Sequence, residues 1–442
     1  MKILVIGSGG REHALLWALR KSARYPLKLF CAPGNSGIAE IAECVDINAT
    51  DVPVLVQFAE EQKIDLTIVG SEAPLAVGIV DAFEMRNLFI AGARRSAARL
   101  ESSKAFAKDF MARHSIPTAR YRIADSVSEA QRILGSGEFG GEDSSVVIKA
   151  DGLAAGKGVI VARSRSEASS AINVLMEGRL VGAEAARRIV IEEALSGPEA
   201  SLLLFADGND YALMPAARDH KRVGENDIGP NTGGMGAITD ASVLDEETLN
   251  RMEREVVAPT LEGARSEGFP FRGILFIGLM LTADGPRVLE YNVRFGDPEA
   301  QAILVRLQTD LVNVFEAVAH GRLSEVSVQW SEESSACVVL ASRGYPARPE
   351  TGARIEGLER AAQHEGVEIF HAGTSRSASG DWLTAGGRVL GVTATAPTLE
   401  LALSRCYGAV GDIHWDGMQY RRDIGKFTES SSQEPEAGIQ NG

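Results

Sequence analysis

Cysteine is scarce in this sequence. The four residues, Cys31, Cys44, Cys337 and Cys406, are scattered over 442 positions without the short spacings of a metal site. A chain of this length buries enough apolar surface to fold without covalent staples, so they read as reduced thiols in a cytoplasmic protein. Positive charge is short as well: 45 lysines and arginines face 60 aspartates and glutamates, a formal net charge of -15. That balance argues against nucleic acid or anionic membrane as a partner, and any anionic ligand has to be met by local cations. No apolar run approaches the ~20 residues of a membrane span. The opening MKILVIGSGG has the lysine and short apolar run of a signal peptide, but glycines interrupt it before any small-residue cleavage site, so a first strand is expected. Repeats of about 20 to 50 residues are also missing.

What is present is an alternation of strand-like and helix-like segments. KILVIG, LKLFCA, DLTIVG and NLFIAG alternate with REHALLWALRKSA and VPVLVQFAEEQK, which predicts an α/β unit with a parallel sheet over residues 1–101. A second, α+β unit is expected over 102–324. It opens with SSKAFAKDFMARHSIP, where Ser102 or Ser103 caps a helix with Phe106 and Phe110 on one face. ACVVLAS, GGRVLGVTATA and the helical TLELALSRCYGAVGDI predict a small mixed α/β domain over 325–428. The polar tail 429–442 has too little apolar surface to offset its ordering entropy, so disorder is expected there.

Two glycine-rich stretches lack the residues that would make them familiar nucleotide loops. In KADGLAAGKG, Gly152 and Gly156 enclose three residues, not the four of a P-loop, and Gly158 stands after Lys157 where a Ser or Thr is needed. Flanked by VVIK and GVIVA, the stretch reads as a hairpin tip carrying Lys149 and Lys157. In GSGGREH, Glu12 replaces the third glycine of a dinucleotide fingerprint. A loop between strand and helix still favours an anion, so a phosphate or ribose phosphate at this loop, Gly7 to His13, is favoured over NAD. APGNSG and GSEAPL end the next strands of the same sheet, where loops line one crevice; Glu72 there suits ribose hydroxyls.

The densest chemistry lies in RVLEYNVRFGDPE. Along a strand, alternate side chains share a face, so Glu290, Asn292 and Arg294 point one way and Tyr291 and Val293 the other. A carboxylate and an amide oxygen are hard ligands suited to Mg²⁺, and Arg294 can grip an anion in bidentate fashion. RIVIEEALSGPEASL offers a strand ending in Glu192 and Glu193, with Glu199 beyond; a solvated acidic loop is the bland alternative. DHKRVGENDIGPNTGGMGA packs Asp219 and Lys221 into a long nonperiodic loop, a type usually functional or disordered.

GSGGREHA, APGN, EAPL, SKAFAK, VIKADGLAAGKGV, DHKRVG, DIGPNTGGMG, EYNVRFGDPE, HAGT, GGRVL and DIHW occur together and in this order. From Met1 to about Phe427 the sequence resembles the phosphoribosylamine–glycine ligases of purine biosynthesis, members of the ATP-grasp superfamily. The resemblance implies an N-terminal Rossmann-like sheet, a central ATP-grasp fold of two subdomains with the hairpin subdomain at about 120–192, and the small C-terminal domain. It implies ATP and Mg²⁺ or Mn²⁺ as cofactors, glycine and 5-phosphoribosylamine as substrates, and a cytoplasmic monomer. By that resemblance Lys104, Lys149 and Lys157 meet ATP phosphates, Glu192, Glu193 and Leu195 present the adenine segment, and Glu199 holds the ribose. Glu290 and Asn292 correspond to metal ligands. Arg294 and Asp219 serve the acyl phosphate and an amine, in roles that can be exchanged, with Lys221 adding charge. Gly9, Gly10 and Glu72 hold phosphoribosylamine. Ser8 stands where the family commonly has Asn, and Ser71 where it has Pro. A dinucleotide-dependent oxidoreductase, a nonhydrolysing ATP sensor and another ATP-grasp carboxylate–amine ligase of nucleotide metabolism are the competing expectations.

Overall fold

In the computed structural model the described residues are 1–154, 158–178, 182 and 185–426. Lys157 and the tail 429–442 lie outside them. The N-terminal strands form a five-stranded parallel sheet with Lys2–Gly7 at its centre, flanked by Lys28–Pro33 and Glu43–Cys44 on one side and Leu66–Val69 and Ile90–Ala91 on the other. Leu66–Val69 is buried throughout and Lys2–Gly7 nearly so, as a sheet covered on both faces requires. Their carboxyl ends, at Gly7, Pro33 and Val69, turn into the three loops singled out above.

The stretch around Lys149 is a hairpin. Val146–Ala150 pairs antiparallel with Val159–Ala162, and Ile189–Glu193 and Tyr121–Ala124 complete a four-stranded sheet. β-branched residues fill three of these strands and pack a separate small core with Ala168, Ile172 and Leu175 of the Arg165–Met176 helix. The Lys104–Arg113 helix begins where its cap predicts: Ser103 Oγ accepts the Phe106 N–H at 3.1 Å. Phe106 and Phe110 lie side by side, ring centroids 6.3 Å apart.

Nine of the remaining strands form one antiparallel sheet, with Tyr211–Leu213 paired to Glu199–Asp207 off its main path, and Thr374–Arg376 and Trp382–Thr384 form a separate two-stranded sheet. The order of the larger sheet runs from Gly285–Asn292 through Arg272–Thr282, Glu199–Asp207, Ala217–Asp219 and Gly236–Thr239 to Ser334–Ala341, Arg388–Ala396 and Val367–His371. The C-terminal strands therefore extend the central sheet, and the join is the Gly236–Thr239 and Ser334–Ala341 pair. Among the described residues, no helix is long and apolar enough to cross a membrane.

Candidate active site

The Gly285–Asn292 strand carries the centre of the site. Tyr291 and Val293 are buried at 2% exposure, while Glu290, Asn292 and Arg294 lie on the more open side, as alternation demands. Glu290 stands opposite Gly278 of the neighbouring strand, and a side chain at 278 would press its Cγ at 3.2 Å. Burial works against ionisation of Glu290, yet Lys149, Lys221, Lys104 and Arg294 outweigh it and hold the carboxyl below its usual range.

Each of these cations has a protein partner. Lys149 Nζ donates to the Leu289 carbonyl at 3.1 Å and pairs with Glu192 Oε1 at 3.0 Å. Lys104 Nζ donates to the Gly152 carbonyl at 2.9 Å, and burial lowers its ammonium despite Glu290. Lys221 is clamped between Glu199 and Asp219, and these two carboxylates raise its pKa against the cost of burial. Burial in turn raises Asp219. Arg294 reaches Glu101 at 2.8 Å, Glu72 at 3.2 Å and Asn292 Oδ1 at 3.2 Å.

The structure thus brings Lys104, Lys149, Lys221, Asp219, Glu199, Glu290, Asn292, Arg294 and Glu72 into one connected network. Glu192 joins it through a side chain that faces inward: a second lysine, Lys108, pairs with its other oxygen at 2.8 Å, and all three groups are buried. Burial, only partly offset by Glu192, lowers the Lys108 ammonium to about 8. The Glu193 side chain turns outward, taking the Arg120 backbone N–H at 2.8 Å and its guanidinium at 2.6 Å. Leu195 is half-buried in the loop that follows.

The first loop contains a feature that the spacing alone did not show. The Glu12 carboxylate folds back over the helix N-terminus: Oε2 accepts the Gly9 N–H at 2.6 Å and Oε1 pairs with Arg11 Nε at 2.7 Å. Gly7, at φ +136°, and Gly70 press on that carboxylate so closely that a Cβ on either would collide with it. Glu12 thereby takes one anion position that the loop geometry offers, while Gly9 lines a cleft of 270 Å³ with Ser8, Arg11, Ser71 and Asp297, and Gly10 is buried against Gln301 outside that lining. Both departures from the family pattern, Ser8 and Ser71, line this cleft.

Three groups of the network were not singled out in the sequence. Arg11 bridges Glu12 and the Phe295 carbonyl, Glu101 holds Arg294 and the Val293 N–H, and Arg388, from the C-terminal part, pairs with Asp297 at 2.9 Å. Asp297 and Arg388 stand in the quoted strings FGDPE and GGRVL, so the signal was there; their pairing spans 91 positions and needs the fold.

A parallel-sheet domain, a lysine-bearing β-hairpin set over an antiparallel sheet, and an acid–amide pair facing that hairpin define an ATP-grasp enzyme. The same fold recurs in the biotin carboxylase domain of Hydrogenobacter thermophilus 2-oxoglutarate carboxylase, with a TM-score of 0.69 at 18% identity over 95% of this chain and 91% of that one. More specifically, the chain belongs to the phosphoribosylglycinamide synthetase family, ATP-dependent carbon–nitrogen ligases: residues 1–101 match the family's N domain, 102–300 its ATP-grasp domain and 335–427 its C domain. A phosphoribosylamine–glycine ligase of Brucella melitensis is 47% identical over 427 residues, 96% of this chain and 97% of that protein. One from Salmonella typhimurium is also 47% identical, over 430 residues. The crystal structure of the Thermotoga maritima phosphoribosylamine–glycine ligase superimposes with a TM-score of 0.82 at 33% identity, covering 96% of this chain and all of that one.

Proposed function

We propose that this chain joins the carboxylate of glycine to the amine of 5-phosphoribosylamine, with ATP converted to ADP and phosphate. A glycine oxygen attacks the γ-phosphorus and ADP leaves, giving glycyl phosphate. The sugar amine then attacks the acyl carbon, the bond to phosphate breaks, a proton is released and glycinamide ribonucleotide forms. Neither step needs a side-chain nucleophile, so the protein contributes position and charge.

The single observation that carries the reading is the carboxylate of Glu290 ringed by Lys104, Lys149, Lys221 and Arg294. Each of these cations is also held by another protein group, and together they are the groups that an incoming polyphosphate would recruit. Lys149 and Lys104 reach the phosphates by exchanging the carbonyls of Leu289 and Gly152 for phosphate oxygens. Lys157, which lies outside the described residues, serves the same anion. Glu192, whose side chain is held by two lysines, contributes to adenine recognition through its backbone, with Glu193 and Leu195 beside it. Glu199 takes the ribose. Arg294 stabilises the acyl phosphate, Asp219 orients an amine and Lys221 offsets charge. Gly9, Gly10 and Glu72 hold phosphoribosylamine, Glu72 through ribose hydroxyls.

Among the described residues, no group of three or more His, Cys, Asp or Glu side chains is placed to hold a metal. Glu290 and Asn292 offer two hard oxygens, which suits Mg²⁺ or Mn²⁺ that completes its shell with phosphate and water. Such an ion, when bound, neutralises charge on the β- and γ-phosphate oxygens. In this reading residues 1–101 carry the sugar site, 102–324 the ATP site and 325–428 a supporting domain of a cytoplasmic monomer.

The deciding experiment is a coupled ADP-release assay on the purified chain with each substrate omitted in turn. Release that requires both glycine and phosphoribosylamine is the expected result. Release that persists without glycine, or that never responds to the amine, would sink the proposal.

A further inference from the structure

The cleft beside the first loop is lined by two carboxylates, each accepting one protein hydrogen bond per oxygen, and only one of them is open to a ligand. Glu12 has its oxygens committed to the Gly9 N–H and to Arg11, and glycines wall it in. Asp297 is different. Its Oδ1 accepts from Gln301 Nε2 at 2.8 Å and its Oδ2 from Arg388 Nη2 at 2.9 Å, leaving a further lone pair on each oxygen. Its side chain keeps 17% exposure and lines the cleft. A Cβ built on Gly9 would stand 3.5 Å from Oδ2, so the carboxylate faces the glycine loop directly.

We infer that Asp297, fixed by Arg388, is the carboxylate that receives the amine or hydroxyl hydrogens of the amino-sugar substrate. The inference rests on the function proposed above and names a specificity residue for its sugar. A carboxylate repels a phosphate, so the sugar's 5-phosphate must lie away from both Asp297 and Glu12; only the neutral donor edge of the sugar suits Asp297. Burial opposes ionisation of Asp297, but Arg388, Arg11 and Arg294 hold its carboxyl below the usual range, which keeps it an acceptor at neutral pH. Its position in the chain agrees: it follows Arg294 on the segment leaving the Glu290 strand, between the acid–amide pair and the sugar cleft. Arg388 is the positioning residue. Besides the carboxylate, its Nη1 donates to the Asp297 carbonyl at 2.6 Å and to the Gly233 carbonyl at 2.5 Å, which ties the FGDP turn to the long loop and to the C-terminal strand.

The test uses the full chain, with initial rates of ADP release measured while phosphoribosylamine, glycine and ATP are varied separately. Asp297→Asn, which keeps the shape and loses the charge, is expected to raise KM for phosphoribosylamine about 10-fold to 100-fold, the loss of a hydrogen bond to a charged acceptor. KM for ATP and glycine should stay within about 2-fold, since such a bond touches only the sugar. Arg388→Lys keeps the charge but loses the forked grip and should give the same sugar-specific rise, smaller in size. An unchanged KM for phosphoribosylamine in Asp297→Asn overturns the inference, as does an equal rise in all three constants. Should Asp297→Asn fail to fold, Arg388→Lys decides by the same criteria. If the unsubstituted chain shows no dependence on phosphoribosylamine, the function itself has failed; if it does and the variants match it, only the role of Asp297 has.

Discussion

At the scale of single residues, the site is a problem of charge in a partly dry place. Glu290 is the acid on which four cations converge, and those cations keep it ionised against burial. Glu290→Gln preserves volume and removes the charge, so ligation is expected to fall by about 100-fold or more, as when a preorganised charge is lost from an active site. Far-ultraviolet circular dichroism should be unchanged, and a variant that kept full activity would show that Glu290 holds no metal. Lys108 poses the opposite case, a buried cation whose work is structural. Its ammonium is 2% exposed and pairs with an equally buried Glu192. Lys108→Met leaves that carboxylate with Lys149 alone and should cost about 1 to 3 kcal/mol in denaturant unfolding, the range for a buried group short of one hydrogen-bond partner. Unfolding midpoints that match the parent would mean the pair is solvated.

At the scale of elements, two junctions decide how the site is assembled. The hairpin is pinned at its base by reciprocal contacts: Asp151 Oδ1 accepts the Ala105 N–H at 3.1 Å, while Lys104 Nζ donates to the Gly152 carbonyl. Asp151→Ala frees one side, so the hairpin spends less time over the nucleotide and KM for ATP should rise several-fold with little change for phosphoribosylamine. The second junction joins the Gly10–Ser22 helix to the Val367–His371 strand, where His13 Nδ1 accepts the His371 N–H at 2.8 Å. Burial lowers His13 to about 4 and, with His13 and Arg376 beside it, His371 to about 3. Both are therefore neutral in the folded chain while an unfolded histidine takes up a proton near pH 6.5. The unfolded state binds more protons as pH falls from about 6.5 to about 4, so stability drops over that window, by at most about 1.4 kcal/mol per pH unit for each ring. Thermal midpoints recorded across this range should slope downward towards acid, and His13→Asn, whose amide oxygen can replace Nδ1 as acceptor, should flatten the slope. These junctions also mark what the sequence could tell. The hairpin was legible because VVIK and GVIVA carry β-branched residues on both sides of a glycine run, and the Lys104–Arg113 helix because a serine, Ser102 or Ser103, announces its start, the structure selecting Ser103. The metal-type face of Glu290, Asn292 and Arg294 followed from alternation alone. Lys108 looked like one more polar helix residue, and only the packing of its helix on the Ile189–Glu193 strand reveals that it is buried against Glu192. Glu12 was legible as a missing glycine but not as an internal anion, since that depends on how its side chain turns.

At the scale of the whole molecule, the C-terminal part is continuous with the catalytic sheet. Ser334–Ala341 is buried at every position and pairs with Gly236–Thr239 on one edge and Arg388–Ala396 on the other. It also brings Arg388 to Asp297 and the His371 carbonyl to Asn35 Nδ2, whose other contact is the Ser8 carbonyl of the first loop. Composition gave the segment the look of a separable domain, because its own strands and helix suffice for a small α/β unit. Sheet pairing argues that it does not come away cleanly. Ending the chain at residue 324 would strip the partner from Gly236–Thr239, all of it buried, and leave an open strand edge with an apolar face towards water. Such a fragment is expected to aggregate on expression, and adding residues 325–442 in trans should recover soluble protein only if the two pieces meet while folding. A fragment of 1–324 that is soluble, monomeric by sedimentation and as resistant to protease as the full chain would show that the sheet closes without its last three strands.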